Sequence, residues 1–124
     1  MWSYDAESFD PPAPVVDAKL TFGEKQSLVV KMQIDSGADL TCIPRAVVPT
    51  SDELQYGRTL VAGYEGKVSM KKTCYVGIRI GKHRFEDVEA LPIDGDVGLI
   101  GRDVLSFLIV TLDGPGSKLL VENA

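Results

Sequence analysis

The sequence predicts an all-β fold, a small closed barrel with one short C-terminal helix. Three observations predict it. Apolar residues come in short runs of strand length, as with Leu28, Val29, Val30, Met32 and Ile34 in Ser27–Ile34. Clusters of Gly, Asp, Ser and Pro interrupt the runs at short intervals, which is turn chemistry. The best helix candidate, Arg102–Leu108, sets Val104, Leu105 and Leu108 along one side. Many short strands with a single helix belong to the small-barrel kind of all-β domain.

In chain order, residues 1–14 read as an N-terminal arm or tail. They carry Asp5, Glu7 and Asp10 with no Lys or Arg, and Pro11, Pro12 and Pro14 stiffen the exit. Such a stretch is either a disordered tail or an arm that packs on the body or blocks a site. Val15–Phe22 and Ser27–Ile34 form a hairpin about Gly23-Glu24. Asp35-Ser36-Gly37-Ala38-Asp39 ends it with turn-forming types. Leu40–Ile43 is a short strand that Pro44 stops, and residues 45–55 are a loop with room for one helical turn. Arg58–Ala62 and Lys67–Ile80 flank Gly63-Tyr64-Glu65-Gly66 as a second, longer hairpin. Gly81-Lys82-His83 turns the chain into Arg84–Leu91, and Ile93-Asp94-Gly95-Asp96 turns it again into Val97–Ile100. After the helix, Ile109–Leu112 and Lys118–Val121 close about Asp113-Gly114-Pro115-Gly116. One echo stands out. An apolar strand runs into Asp35-Ser36-Gly37, and another into Gly101-Arg102-Asp103, which suggests a pseudo-symmetric core.

Composition removes several classes of function. The 124 residues fit one domain, long enough for a core without disulfides or metals. Eighteen acidic against 13 basic side chains give a net charge of -5, so nucleic-acid binding is not expected; a phosphate footprint needs a basic face. No apolar run approaches the roughly 20 residues that span a bilayer. The start, MWSYDAESFDPPAP, lacks a basic n-region and an apolar stretch, so no signal peptide and a cytoplasmic location are expected. Cys42 and Cys74 are too few for a disulfide scaffold or a four-ligand zinc site, and read as small core residues. Asp94-Gly95-Asp96 has the wrong spacing for a calcium loop. His83 reads as a solvated turn residue, and Lys67, Lys71 and Lys72 as a solvated face. No metal or cofactor is expected.

The chemistry concentrates at Asp35-Ser36-Gly37. A carboxylate there sits at the end of a buried strand, and Gly37 permits a tight turn and close backbone approach. Three residues alone are also an ordinary Asx-turn. The context is more specific: Ile34-Asp35-Ser36-Gly37-Ala38-Asp39, then the glycine-flanked hairpin tip, then Leu99-Ile100-Gly101-Arg102-Asp103-Val104-Leu105. This order resembles the retropepsin-like aspartic proteases, the retroviral-type single-domain enzymes and their bacterial relatives. The resemblance covers the chain from Val15 to Asp113.

The resemblance implies a retropepsin-like barrel over 15–124 that works as a C2 homodimer, and an endopeptidase acting on a peptide or protein substrate. Asp35 matches the catalytic aspartate, and Ser36 the hydroxyl residue that bonds across the dimer axis. Gly37 matches the residue whose carbonyl faces substrate, and Ala38 and Asp39 the segment flanking it. Arg102 matches the arginine that pairs with the acid at Asp39, here expected as a bidentate grip. Gly63, Tyr64, Glu65 and Gly66 match the flap tip. Alanine at position 38 implies a mildly acidic optimum, at about pH 5–6. Tyr64 and Glu65 make this tip bulkier and more polar than a viral flap, the N-terminal arm is extra, and the chain runs on past the helix.

Aspartic proteases activate water between two carboxylates that share one proton. This chain has one such motif, and Asp103 matches a structural position. The second Asp35 must therefore come from another copy. Two other readings stay open: a non-catalytic dimer of the same fold that binds peptides or partners, and a monomer activated only on a membrane or partner scaffold. Apolar residues near Ile34, Val61 and Ile100 are expected to favour apolar side chains beside the scissile bond.

Overall fold

The computed structural model describes residues 1–23, 27–50, 56–62 and 66–123, with the backbone alone at Tyr56 and Arg58. Alternation sets the first hairpin. β2 (Val15–Thr21), which follows the short N-terminal β1 (Trp2–Ser3), buries Val16, Ala18 and Leu20 and turns Asp17 and Lys19 to solvent. β3 (Ser27–Ile34) pairs antiparallel with it, Val16 opposite Met32 and Ala18 opposite Val30, so Val30 and Met32 join the same buried face.

The large sheet continues with β4 (Cys42–Pro44), β5 (Tyr56–Ala62), β6 (Val68–Ile80), β7 (His83–Ile93) and β8 (Gly98–Ile100). Its order is β2-β3-β8-β4-β7-β6-β5, and β6 also pairs with β2. That second pairing closes a six-stranded barrel and leaves β5 as the outer leg of the β5–β6 hairpin. The interior holds Leu20, Phe22, Met32, Ile43, Val76, Ile78, Ile80 and Ile100, all essentially sealed from water. Each such Leu or Ile contributes about 1.5–3 kcal/mol of burial.

The two echoed units lie side by side. β3 and β8 run parallel, Met32 beside Gly98 and Ile34 beside Ile100. The backbones cross so closely that a side chain at Gly101 would start 2.6 Å from the Leu40 carbonyl carbon. The weak sequence echo is thus a physical pair of strand–turn units at the centre of the fold.

The helix differs from expectation. α1 is the single turn Arg102–Leu105 and stops short of Leu108. Ser106 Oγ donates to the Arg102 carbonyl at 2.5 Å, and the Phe107 N–H bonds the Val104 carbonyl at 3.1 Å, which tightens the turn. Leu108 then enters β9 (Leu108–Asp113), paired along its length with β10 (Lys118–Asn123). A one-turn helix has yet to recover its nucleation cost, so the ladder wins. In the 45–55 loop the expected helical turn is a 3-10 turn at Arg45–Val47; residues 51–55 lie outside the described residues.

His83 is not a solvated turn residue. Gly81 and Lys82 make the turn, and His83 opens β7 opposite Ile80, where it is buried. Its Nδ1 lies 2.7 Å from Asn123 Oδ1 and its Nε2 3.3 Å from the Val121 carbonyl. The last strand, 38 residues away in sequence, covers it.

A second sheet, ordered β1-β10-β9, caps the body. Residues 1–14 run back along it: Trp2 pairs with Leu119, the Tyr4 N–H bonds the Ser117 carbonyl at 2.8 Å, and Asp5 and Ala13 exchange backbone bonds. Asp5 Oδ1 accepts the N–H groups of Glu7 and Ser8, both at 3.0 Å, and Oδ2 faces Lys31 Nζ at 3.4 Å. Those bonds, first that from Ser8, hold the Asp5 carboxyl below its ordinary range.

Candidate active site

β3 delivers Asp35 from the barrel interior to a turn. Its N–H donates to the Ile100 carbonyl at 3.0 Å. Across the same crossing, the Arg102 N–H donates to the Ala38 carbonyl at 2.8 Å. The two turns therefore hold each other through reciprocal backbone bonds. Within the first turn, the Asp35 side chain accepts the Gly37 N–H at 2.9 Å, and the Asp35 carbonyl accepts the Ala38 N–H at 3.2 Å. The Asx-turn is thus real, and it fixes where the carboxylate points. Asp35 is half-buried, whereas Ser36, Gly37 and Asp39 are exposed on the open side of the turn.

The Arg102 guanidinium reaches across from α1, but does not close both prongs on Asp39. Nη1 donates to the Ser36 carbonyl at 2.6 Å, and Nη2 pairs with Asp39 Oδ1. One fork therefore clips two points of the turn. The Ser36 carbonyl lies within its span, so the planar donor set divides between them. Both side chains are largely exposed in the single chain, so the ion pair by itself contributes little.

Beneath the turn is a network that the sequence reading missed. Thr41 is fully buried. Its Oγ1 donates to Asp103 Oδ1 at 2.8 Å and accepts the Gly101 N–H at 3.1 Å. Its N–H donates to Asp103 Oδ2 at 3.0 Å, and Asp103 Oδ1 also takes the Val104 N–H at 2.9 Å. The one available signal was a threonine at the mouth of an apolar strand, a polar group that must find a partner once buried. With its oxygens engaged this way, Asp103 is an anchor between the two turns.

The other chemistry-bearing side chains fall away from a catalytic role. Cys42 and Cys74 are free and buried. Burial pushes the Cys74 thiol up to about 11, and burial together with the Asp103 and Asp35 charges raises Cys42. Neither supplies a thiolate near neutral pH. No group of described residues could hold a metal ion, and no described helix is long and apolar enough to cross a membrane. A groove of about 760 Å³ lies between β7 and the α1–β9 connection, lined by Phe85, Val88 and Phe107; no residue of the Asp35 turn borders it.

Of the flap tip, Gly63, Tyr64 and Glu65 lie outside the described residues. Gly66 is described, with φ at 76°. The legs pair in register from Tyr56–Cys74 to Ala62–Val68, and Leu60, Val68 and Met70 stand exposed on them. Among the expected apolar contacts, Ile34 and Val61 are partly exposed, but Ile100 is wholly buried in the core. β8 alternates, so its partly exposed side chain is Leu99.

The site is thus a closed six-stranded barrel with two interlocked strand–turn units, one of which presents an aspartate. Residues 11–113 match the family model described as retroviral aspartyl protease, and the chain belongs to that retropepsin-like family. A search among curated proteins found no match.

Proposed function

We propose that the protein is an aspartic endopeptidase whose active site is shared by two identical subunits. The observation that carries this is the Asp35 turn: one carboxylate per chain, fixed by the Gly37 N–H and locked to the Gly101–Arg102 turn, on a half-open surface. Two such turns about a two-fold axis bring two carboxylates together. Like charges that close cannot both ionise, so the pair holds one proton.

The ionised Asp35 takes a proton from the bound water as its oxygen attacks the scissile carbonyl carbon. The protonated Asp35 gives its proton to the carbonyl oxygen. Collapse of the resulting diol breaks the C–N bond, the amine leaves with a proton, and the pair returns to a single shared proton. Substrate lies as an extended strand between turn and flap, held by main-chain bonds. Gly37 and Ala38 offer backbone to it, Ser36 braces the turn across the axis, and Asp39 and Arg102 fix the outer rim. Gly63, Tyr64, Glu65 and Gly66 cover it. Ile34, Val61 and Leu99 favour apolar side chains at the cleaved bond.

The test is digestion of a random peptide pool by wild type and Asp35→Asn, with and without a pepstatin-type inhibitor. Cleavage by wild type that the inhibitor stops and the substitution abolishes, with fold and dimer retained, supports the reading. Equal cleavage by Asp35→Asn removes Asp35 from the mechanism. Peptide binding without cleavage in either makes the fold a binding module.

A further inference from the structure

The outer face of the barrel carries a row of cations. Lys19 on β2 lies opposite Arg79 on β6, and Arg79 lies opposite Arg84 on β7. Opposed residues in an antiparallel ladder point to one face. Lys19 and Arg79 each stand exposed between two buried neighbours, and Arg84 follows the buried His83, so that face is the outer one. Adjacent strands lie about 4.7–4.9 Å apart, so the row spans about 10 Å of backbone. Like charges directly opposite one another destabilise a sheet. Among the described residues, no carboxylate lies within ion-pair distance of Lys19, Arg79 or Arg84. The concentration is local, since the whole chain has 18 acidic against 13 basic side chains.

Two residues further along the strands the face turns polar and hollow. Thr21 opposes Ser27 on β3 and Gly77 on β6. With no side chain at Gly77, the surface dips into a pocket of about 240 Å³ lined by the three cations, Thr21 and Ser27. Thr21 Oγ1 and Ser27 Oγ lie 2.8 Å apart. One hydroxyl donates to the other, which leaves one O–H to donate outward. Arg79 Nε donates to the Gly81 carbonyl at 2.8 Å, which anchors that guanidinium and leaves its two amino groups for a ligand. Glu86 also borders the pocket, beside Gly77, so three cations face one carboxylate and the lining stays positive.

We propose that this pocket docks a phosphorylated segment of another protein, its phosphoryl group held by Lys19, Arg79 and Arg84. A phosphoryl group brings a charge of about −1.5 to −2 and three acceptor oxygens. A carboxylate brings one charge and two oxygens, too few to engage three cationic donors and a hydroxyl together. The forks of Arg79 and Arg84 match phosphate geometry. Val29 continues the row beyond Lys19 and is 65% exposed. It offers an apolar seat to a residue flanking the phosphorylated one, which a free anion would not use. One apolar side chain is too little to enter a lipid surface. A single basic pocket on a chain of net charge -5 is not a track for nucleic acid. No residue of the Asp35 or Gly101 turn borders the pocket, so the docking goes beyond the active-site reading and holds whether or not that site cleaves.

The test measures binding of the full chain to labelled degenerate peptides with a fixed central phosphoserine, and to the same peptides unphosphorylated. The phosphorylated set should bind about tenfold more tightly or better, the worth of one charge-assisted bond, and should weaken as salt rises. Arg84→Gln keeps the stem and removes the charge. It should cut phosphopeptide affinity about tenfold. Because it relieves the repulsion between β6 and β7, it should also raise the melting temperature by about 1–4 °C. Lys19→Gln should act the same way, whereas a merely structural row would lose stability in both variants and leave binding alone. Cleavage of an unphosphorylated peptide should be unchanged in Arg84→Gln, which keeps this result separate from the Asp35 reading. Equal affinity for the two peptide sets, or phosphopeptide binding that neither variant moves, would overturn the proposal. Inorganic phosphate binding as tightly as the phosphopeptides would assign the pocket to a free anion, and phosphatidylserine vesicles binding where phosphopeptides do not would assign it to a lipid surface; either result overturns the peptide.

Discussion

Thr41→Val tests whether the two turns are held together from below. Valine keeps the shape of threonine but removes the hydroxyl that donates to Asp103 and accepts the Gly101 N–H. Thr41 is 0% exposed, so water cannot substitute for it. The lost bond to a carboxylate is worth about 1.5–3 kcal/mol, and the stranded Gly101 N–H costs about 1–3 kcal/mol. The two losses share one atom and do not add in full. Asp103 keeps the N–H groups of Thr41 and Val104, which softens the first. The expected destabilisation is about 3 kcal/mol, a large part of the roughly 5–15 kcal/mol that holds a domain folded. Thr41→Ser keeps both bonds, loses one methyl group and should cost about 1 kcal/mol. The assay is urea unfolding followed by circular dichroism, at one protein concentration because dimerisation adds to apparent stability. Peptide cleavage below the midpoint should fall in Thr41→Val and recover in Thr41→Ser. A valine variant within about 0.5 kcal/mol of wild type, the ordinary scatter of a neutral change, would refute the argument.

Four further outcomes are expected. Specific activity should fall on dilution, and excess Asp35→Asn should poison wild type by forming mixed dimers with one carboxylate; flat activity at concentrations where sedimentation shows monomer would sink the shared site. The rate should peak at about pH 5–6, where the pair holds one proton, and decline as that proton leaves; a profile still rising at pH 8 would demand another mechanism. Arg102→Lys keeps the charge but cannot clip Ser36 and Asp39 together, so dimer affinity and rate should each drop about tenfold, the loss of roughly one charge-assisted bond; unchanged values would make Arg102 a surface residue. The Asp5 carboxyl is held below its ordinary 3.8, so its contribution to the docked arm is present above that value and fades as pH falls through the lowered one. Protection of the amides of residues 2–8, measured against their unfolded exchange rates at each pH, should hold from pH 7 to about 4 and fall below, and Asp5→Ala should lower it throughout; an indifferent variant would free the arm from Asp5.

What could be read in advance was whatever a short stretch of chain decides for itself. Alternation in Val15–Thr21 and Ser27–Ile34 selects one face for burial, because strand side chains have a period of two. Asp35-Ser36-Gly37 turns because an Asx side chain bonds a backbone N–H two residues on, as Asp35 does with Gly37. The same motif and Leu99–Leu105 pointed to the family. Contacts between distant segments decided the rest. Thr41 meets Asp103 across 62 residues, and nothing near Thr41 announces the carboxylate. His83 follows a turn, the usual place for a solvated side chain, until β10 covers it. The helical pattern of Arg102–Leu108 is real, but β10 offers Leu108 a ladder, and one turn of helix cannot compete with it. Ile100 and Leu99 are equally apolar, and only closure of the barrel says which of them faces the core. A local pattern constrains dihedral angles and faces; a buried polar pair or a row of cations across three strands exists only once the chain has brought its parts together.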